Sequence, residues 1–440
     1  MQPKACALSS KSGSRNSRTP DRRINARRAD SRGGLECPIS TRQWLPIESE
    51  HGMNILERID SRIRLGDDER MIVDSVRALA RDRIAPHAAE YDRTGTFPQQ
   101  NIDAINELGL NAMFIPDAYG GAQLSFTCYA LCVREIAKAC AATGIIWATN
   151  FHAIKPLIEY GSDAQKARFL PAVAGGALAS LAITEPGAGS DATGMRTTFR
   201  EDGDEIVING GKTFITNGDV ADLYLLFGKW EGIDDPKRAI SVLILEKGTP
   251  GLSVIGVEDK MGTRASGTAT LSFDNCRVPR GNLVGEPGDG LRILLGSLNR
   301  SRPSVAAHAL GIARGAFEDA VAYINERKQS GRKVIEFQGI QFMLADLASE
   351  LALCESWLWL VAGMIDAGET EFGIEASMLK MRASDAAMRI TTDAVQLLGG
   401  YGYCSDYRVE RLMRDAKITQ IWEGTNQVHR QLIGRSFILK

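Results

Sequence analysis

"TTFREDGDEIVINGGKTFITNG", Thr197–Gly218, is the stretch where the periodicity of this chain changes. Its residues alternate in polarity and are interrupted by Asp202-Gly203, Asn209-Gly210-Gly211 and Asn217-Gly218, which favour tight turns. It reads as strands joined by hairpins. The same character begins upstream at "LASLAIT" from Leu178. It continues in "ADLYLLFGKW" (221–230), "RAISVLILEKG" (238–248), "GLSVIGVE" (251–258) and "TATLSFDNCRVP" (268–279). Residues 178–284 are therefore expected to form a β domain.

On both sides the period is helical. Upstream, "DDERMIVDSVRALARDRIAPHA" starts with acids and sets Met71, Ile72, Val76, Leu79 and Ile84 on one side. "NIDAINELGL", "SFTCYALCVREIAKACAA" and "DAQKARFLPAVA" read alike, so residues 53–177 are expected to be α-helical. Downstream of "GEPGDG", long amphipathic segments joined by short glycine turns fill residues 285–440, the pattern of an up-and-down bundle.

Residues 1–52 differ: "RRINARRADSRGG" (22–34) is typical, and no apolar period is present. We expect disorder there. An Arg/Ser-rich transit peptide is one reading. An upstream extension before a true start at Met53 is the other, and Asp21, Asp30 and Glu36 with the missing apolar face favour it. The expected location is cytoplasmic, with the mitochondrial matrix as the alternative.

The chain has 440 residues, enough for two or three folding units. A net charge of -2 gives no field drawing it to nucleic acid or an anionic membrane. No run of about 18 apolar residues suggests a membrane span. The 8 cysteines are scattered, and Glu135 stands where a third thiol after Cys128 and Cys132 would complete a cluster pattern. The 5 histidines never pair at i, i+4. Neither a disulfide framework nor a metal site is expected.

Five segments attract attention. "LAITEPGAGSDATG" (181–194) fits GxGxxG/A from Gly187 to Ala192, but a hairpin follows it instead of a helix, so a Rossmann reading fails. A glycine-rich loop still lets backbone N–H groups approach a ligand; on glycine content alone, a plain strand-to-turn connection is the favoured reading. In "KTFITNG", Phe214 and Thr216 lie two apart and share a face, fit either to flank an aromatic cofactor or to pack in the sheet. In "LNRSRPSVAAHALG", Arg300 and Arg302 precede Pro303, near an expected helix start, where cations oppose the dipole and would suit an anionic ligand or a solvated turn. "NERKQSGRKVIEFQG" (325–339) gathers Arg327, Lys328, Arg332 and Lys333 between helices, a grip for a diphosphate or a solvated connection. In "IWEGTNQ" (421–427), Glu423 would meet the dipole of a helix capped by Thr425 or Asn426, which leaves Trp422 beside it unexplained.

Together, in this order, these segments resemble the acyl-CoA dehydrogenase family over about Ile55–Ile438, with "KMGTRASGTATLSFDNCRVP" and "QLLGGYGY" (396–403) adding to the match. The resemblance implies a mainly α fold with a central β domain: an N-terminal helical domain, a middle β-barrel-like domain and a C-terminal four-helix bundle, usually a homotetramer. It implies FAD, with Leu181, Ile183, Thr184, Gly189, Ser190, Phe214, Ile215, Thr216, Thr425 and Gln427 at the flavin. Arg327, Gln338, Gln396, Gly399 and Gly400 would reach the FAD of a neighbouring subunit. Members mostly carry tryptophan where Phe214 stands, and many carry tyrosine where Trp422 stands.

Glu423 matches the family's catalytic base. Some members place this glutamate on the helix near Ser301, where this chain has no carboxylate. Ser190, Arg302, Trp422 and Gly424 match substrate contacts. The implied reaction is α,β-dehydrogenation of an acyl-CoA thioester to trans-2-enoyl-CoA. Glu423 takes the α-proton, hydride passes to flavin N5, and electron-transfer flavoprotein reoxidises the flavin. Alternatives on the same fold are an acyl-CoA oxidase or other oxygen-reacting flavoenzyme, and a non-catalytic flavoprotein; the carrier, CoA or acyl carrier protein, stays open.

Overall fold

The computed structural model describes residues 55–438, so the expectations for residues 1–52 lie outside the described residues. The first helices are α1 (Ile55–Asp60), α2 (Asp67–Leu79), α3 (Ala88–Thr94), α4 (Gln99–Glu107), α5 (Phe126–Ala139), α6 (Ala141–Tyr160) and α7 (Asp163–Ala174). Local chemistry marks their starts. Ser125 caps α5 by accepting from the Cys128 N–H, and Ser162 and Gln165 form a reciprocal box at α7. The expected stripe on α2 is partly wrong: Val73, Val76 and Leu79 are buried, whereas Met71 is 62% exposed. A π-helical turn at Ala80–Ile84 then shifts the face and buries Ile84.

The strands are β1 (Ala179–Ala182), β2 (Thr198–Asp202), β3 (Glu205–Thr216), β4 (Leu223–Trp230), β5 (Ile240–Glu246), β6 (Leu252–Val257), β7 (Thr268–Pro279) and β8 (Leu283–Val284). They form one 8-stranded sheet in the order β6-β7-β3-β2-β4-β5-β8, with β1 parallel to β4. β6 and β8 end the sheet rather than pairing with each other. Alternation decides the two faces. Leu223, Leu225 and Phe227 pack with Ile154 and Leu157 of α6, while Tyr224 and Leu226 join Ile206, Ile208 and Leu271 in a second core. Asp202-Gly203 does turn the β2–β3 hairpin. Asn209-Gly210-Gly211 does not turn: it lies inside β3 at a register shift, where a Cβ on Gly210 would come 2.7 Å from the Thr197 Cα.

The last part holds α8 (Gly290–Glu326), the short hairpin β9 (Lys328–Gln329) and β10 (Arg332–Lys333), α9 (Gln338–Asp366), α10 (Gly373–Leu398), α11 (Val409–Ile418) and α12 (Asn426–Ser436). Here the sequence misled at Pro303. It does not mark a helix start but lies well inside α8, so Arg300 and Arg302 are interior and the dipole argument lapses. The helix continues through Pro303 because the packing of apolar side chains around it, with Val305, Ala306, Ala309 and Leu310 all at 1% exposure or less, offsets the lost N–H.

The N-terminal helices and the bundle share a single core. Within it Arg134 is fully buried and pairs with Asp60 at 2.7 Å, Glu135 at 2.7 Å and Glu355 at 3.3 Å. Arg314 meets Asp60 at 3.0 Å and Glu355 at 3.1 Å. The cluster ties α1, α5, α8 and α9 together. Among the described residues, α9 is the one helix long and apolar enough, by length and composition, to cross a membrane. Leu347, Leu351, Leu358 and Val361 set it into the shared core, and Glu355 fixes it there.

Candidate active site

Glu423 lies in the turn between α11 and α12. α11 is held to the β domain: Arg414 donates to the Met261 carbonyl at 3.0 Å, and Asp415 accepts from the Thr263 N–H. Thr425 caps α12 by accepting from the Val428 N–H at 3.3 Å. Between these anchors the chain bends sharply, with φ +54 at Glu423 and +93 at Gly424. A left-handed non-glycine residue is disfavoured, and such strain gathers at working sites. Seven described non-glycine residues have positive φ, and three of them, Phe214, Asn217 and Glu423, fall in "KTFITNG" and "IWEGTNQ".

The Glu423 carboxylate accepts a 2.8 Å hydrogen bond from Ser301 Oγ of α8. Burial pushes its pKa above the ordinary value; the Ser301 hydrogen bond and the Arg302 and Lys380 charges pull the other way. Arg302 is buried, with its Nη1 3.2 Å from both Asn299 Oδ1 and Ser377 Oγ, and its Nε has no hydrogen-bond partner. Trp422 sets its ring edge-on to His308 at 5.5 Å, and its buried Nε1 is also unpartnered. Among the described residues, the backbone N–H groups of Glu423 and Gly424 make no hydrogen bond. A desolvated carboxylate thus stands beside two backbone donors without partners, a layout chemically able to accept a proton from carbon and to stabilise an anion.

A second group forms in the β domain. The loop after β1, which carries Ile183, Thr184, Gly189 and Ser190, is pinned by a buried ion pair. Lys212 Nζ donates to Glu185 Oε1 at 2.7 Å and to the Ile183 carbonyl at 2.9 Å. The Thr213 N–H donates to the Thr184 carbonyl at 2.9 Å. Ser180 Oγ donates to the Thr216 carbonyl at 2.7 Å, behind buried Ile215. The β3–β7 register slips between Lys212 and Ile215, and Phe214 in that bulge is 62% exposed. A ring packed into the sheet is therefore ruled out. Nothing lies within 4 Å of where side chains on Gly187 and Gly189 would point. An open aromatic ring on the strand that bonds to Thr184, with Thr216 two residues on and a loop of bare glycine backbone after β1, suits a flat polar ring system such as a flavin. Asn217 joins this group to the helices, donating to the Ile146 carbonyl at 3.0 Å and the Ala179 carbonyl at 3.2 Å.

The third group is remote. Arg327, Gln338, Gln396, Gly399 and Gly400 are all exposed. Arg327 ends α8 with its guanidinium 5.5 Å from the Tyr401 ring. Roughly 25 residues of helix separate it from Ser301, about 38 Å at the usual rise. Arg327 and Glu423 of one chain do not serve one small ligand region.

Sequence reasoning saw Ser301 only as a missing carboxylate; the structure makes it the hydrogen-bond donor to Glu423. Lys380 of α10, fully buried, was missed. Its Nζ donates to the Gly424 carbonyl at 2.7 Å and to Asn426 Oδ1 at 3.2 Å. A lysine on the apolar stripe of Ala376, Leu379, Ala383 and Ala387 was the available signal. Six cysteines lie in the described part and all are free; no group of side chains there is suited to hold a metal.

Three family descriptions match: Acyl-CoA dehydrogenase, N-terminal domain, over residues 66–177, the middle domain over 180–276, and the C-terminal domain over 288–438. Probable acyl-CoA dehydrogenase FadE25 of Mycobacterium tuberculosis is 41% identical, covering 85% of this chain and 96% of that protein. The butyryl-CoA dehydrogenase structure from Megasphaera elsdenii superposes with a TM-score of 0.82 at 37% identity, over 85% of this chain and 98% of that one. A glutaryl-CoA dehydrogenase from Mycobacterium smegmatis, solved with FADH2, gives 0.80 at 28% identity, over 87% and 96%. The helical, sheet and bundle parts define the class, a three-part enzyme that oxidises acyl thioesters. The chain belongs to the acyl-CoA dehydrogenase family.

Proposed function

We propose that this chain dehydrogenates an acyl-CoA thioester between Cα and Cβ, with Glu423 as the base that takes the α-proton. It is an oxidoreductase, and its cofactor is FAD. When bound, FAD supplies the acceptor for the β-hydrogen with its electron pair, so the two hydrogens lost by the acyl chain leave as a proton and a hydride and an enoyl-CoA remains. The side chains and backbone of Leu181, Ile183, Thr184, Gly189, Ser190, Phe214, Ile215, Thr216, Thr425 and Gln427 would hold it. The free N–H of Glu423 would donate to the thioester carbonyl and lower the cost of the negative charge that develops there. Trp422 would close the site to water, Arg302 would hold the carboxylate's side of the pocket at positive potential, and Ser190 and Gly424 would contact the thioester arm. Arg327, Gln338 and the Gln396–Gly400 turn would serve a neighbouring subunit of a homotetramer. Electron-transfer flavoprotein would be the onward partner, and the expected location is cytoplasmic.

The observation that carries this reading is the desolvated Glu423 carboxylate, held by Ser301 beside unspent backbone donors. The test is Glu423→Gln, followed anaerobically at the flavin band with a series of acyl-CoAs. The variant should keep its flavin and lose reduction by about 100-fold or more. Reduction at the wild-type rate would refute the base assignment, and fast reoxidation of the wild type by oxygen alone would make the chain an oxidase.

A further inference from the structure

The turn that carries Glu423 is unusual in what holds it. Its two central residues are both left-handed, so the backbone there does not hold this shape by its own preference. Three α10 residues, Lys380, Ser384 and Asp385, hold it in place through four hydrogen bonds. Lys380 Nζ reaches the Gly424 carbonyl at 2.7 Å and Asn426 Oδ1 at 3.2 Å. Asn426 Nδ2 donates to Ser384 Oγ at 2.9 Å and to Asp385 Oδ1 at 2.8 Å. Lys380 and Asn426 are buried, at 0% and 2% exposure. A buried ammonium is costly unless paired, yet Lys380 has no carboxylate within ion-pair distance among the described residues. Its two acceptors are a carbonyl and an amide oxygen.

The groups facing it are few. Arg302 comes from α8 and Asp385 from its own helix, while Glu423 and His429 come from the turn and α12. His429 is held neutral, since burial and the nearby Lys380 and Arg302 charges push it down to about 3. Asp385 is turned toward Asn426, Gln420 and Arg430. Glu423 is thus the carboxylate left to answer the Lys380 charge.

We infer that Lys380 is a positioning residue for the base: from α10 it clamps the Gly424 carbonyl, fixes the left-handed turn, and places its charge so that the Glu423 carboxylate is kept ionised. The inference rests on Glu423 being the base. Burial brings the Lys380 ammonium down to about 7, and the Glu423 charge opposes that fall. Removing the Lys380 charge raises the Glu423 pKa, and the base then needs a higher pH to be ionised.

The experiment measures kcat and KM across pH for the holoenzyme of wild type, Lys380→Met, Lys380→Arg and Glu423→Gln. In Lys380→Met the acid limb of kcat moves to higher pH. Turnover falls at every pH because the clamp on the Gly424 carbonyl is lost, and by about tenfold more at low pH than at high pH, while KM changes little. Lys380→Arg keeps a charge at every pH, so its limb stays at the wild-type position or lies below it. A Lys380→Met limb that does not move, or a loss equal at all pH values, overturns the inference. If Lys380→Met yields no holoenzyme, Lys380→Arg decides, and a limb displaced to higher pH overturns it. Turnover retained in Glu423→Gln would sink the base assignment instead. An inactive Glu423→Gln with an unmoved Lys380→Met limb sinks the Lys380 role alone.

Discussion

At the residue scale the site depends on a backbone shape that only one neighbour of Glu423 makes affordable. Gly424 has φ +93, and a Cβ there would meet His429 Nε2 at 3.3 Å and Cε1 at 3.4 Å. His429 has no exposed surface through which to retreat. Gly424→Ala should therefore turn the Glu423 peptide away from its place, at a cost of about 1–3 kcal/mol in backbone strain. The expected outcome is a drop in kcat of roughly tenfold or more with flavin content unchanged, read by single-turnover flavin reduction. The carboxylate was singled out in the sequence through the family resemblance of "IWEGTNQ", because an acid ahead of a helix is by itself ordinary and only Trp422 beside it stood out. Its partners were not. Ser301 lies 122 residues from Glu423, and Lys380 lies 44 residues from Gly424, so only the packing of α8 and α10 shows them as neighbours.

At the scale of elements, bulges and buried charges place the flavin-facing residues. Three β3 residues, Thr213, Phe214 and Ile215, span what two β7 residues span, and this turns Phe214 outward. Sequence alternation put Phe214 and Thr216 on one face, which the exposure pattern agrees with, but it gave no sign of the bulge. Lys212, one residue before the bulge, pairs with Glu185 below the loop that would hold the flavin. Glu185 also accepts from the Arg196 and Thr197 N–H groups and from Thr197 Oγ1. Lys212→Met leaves that carboxylate buried without its cation, a loss of about 3 kcal/mol by urea unfolding. Lys212→Met/Glu185→Gln should regain part of it, since no charge is then stranded. Burial pulls the Glu185 pKa up, but Lys212 and the hydrogen bonds win and hold it below 4.5. Its contribution is then present above pH 4.5 and is lost as pH falls through the depressed value. Pro303 is the converse lesson. Read alone it starts a helix, but the burial of α8 against α5 and α10 carries the helix straight through.

At the scale of the whole molecule, the order helix, sheet, bundle was legible because the period of the sequence changes twice, near 178 and near 285. The shared core of the N-terminal helices and the bundle was not, because no local pattern says which apolar faces meet. The same scale separates the Arg327 and Gln396–Gly400 group from Glu423 by most of the length of α8. If both groups bind FAD, they bind it in different chains, and each FAD needs two. Exposed Phe342, Leu353, Leu360, Tyr401 and Tyr403 lie on α9 and the turn after α10, where a second chain would cover them. Flavin retention should then depend on chain concentration. On dilution, flavin fluorescence should rise over the same range in which sedimentation shows the assembly coming apart. Arg327→Ala should shift that range to higher concentration while leaving the flavin-reduction rate of intact sites unchanged, because Arg327 is far from Glu423. Release of flavin that ignores dilution while the chains separate would place all of the FAD contacts within one subunit, and Arg327 would then be a surface arginine resting on Tyr401.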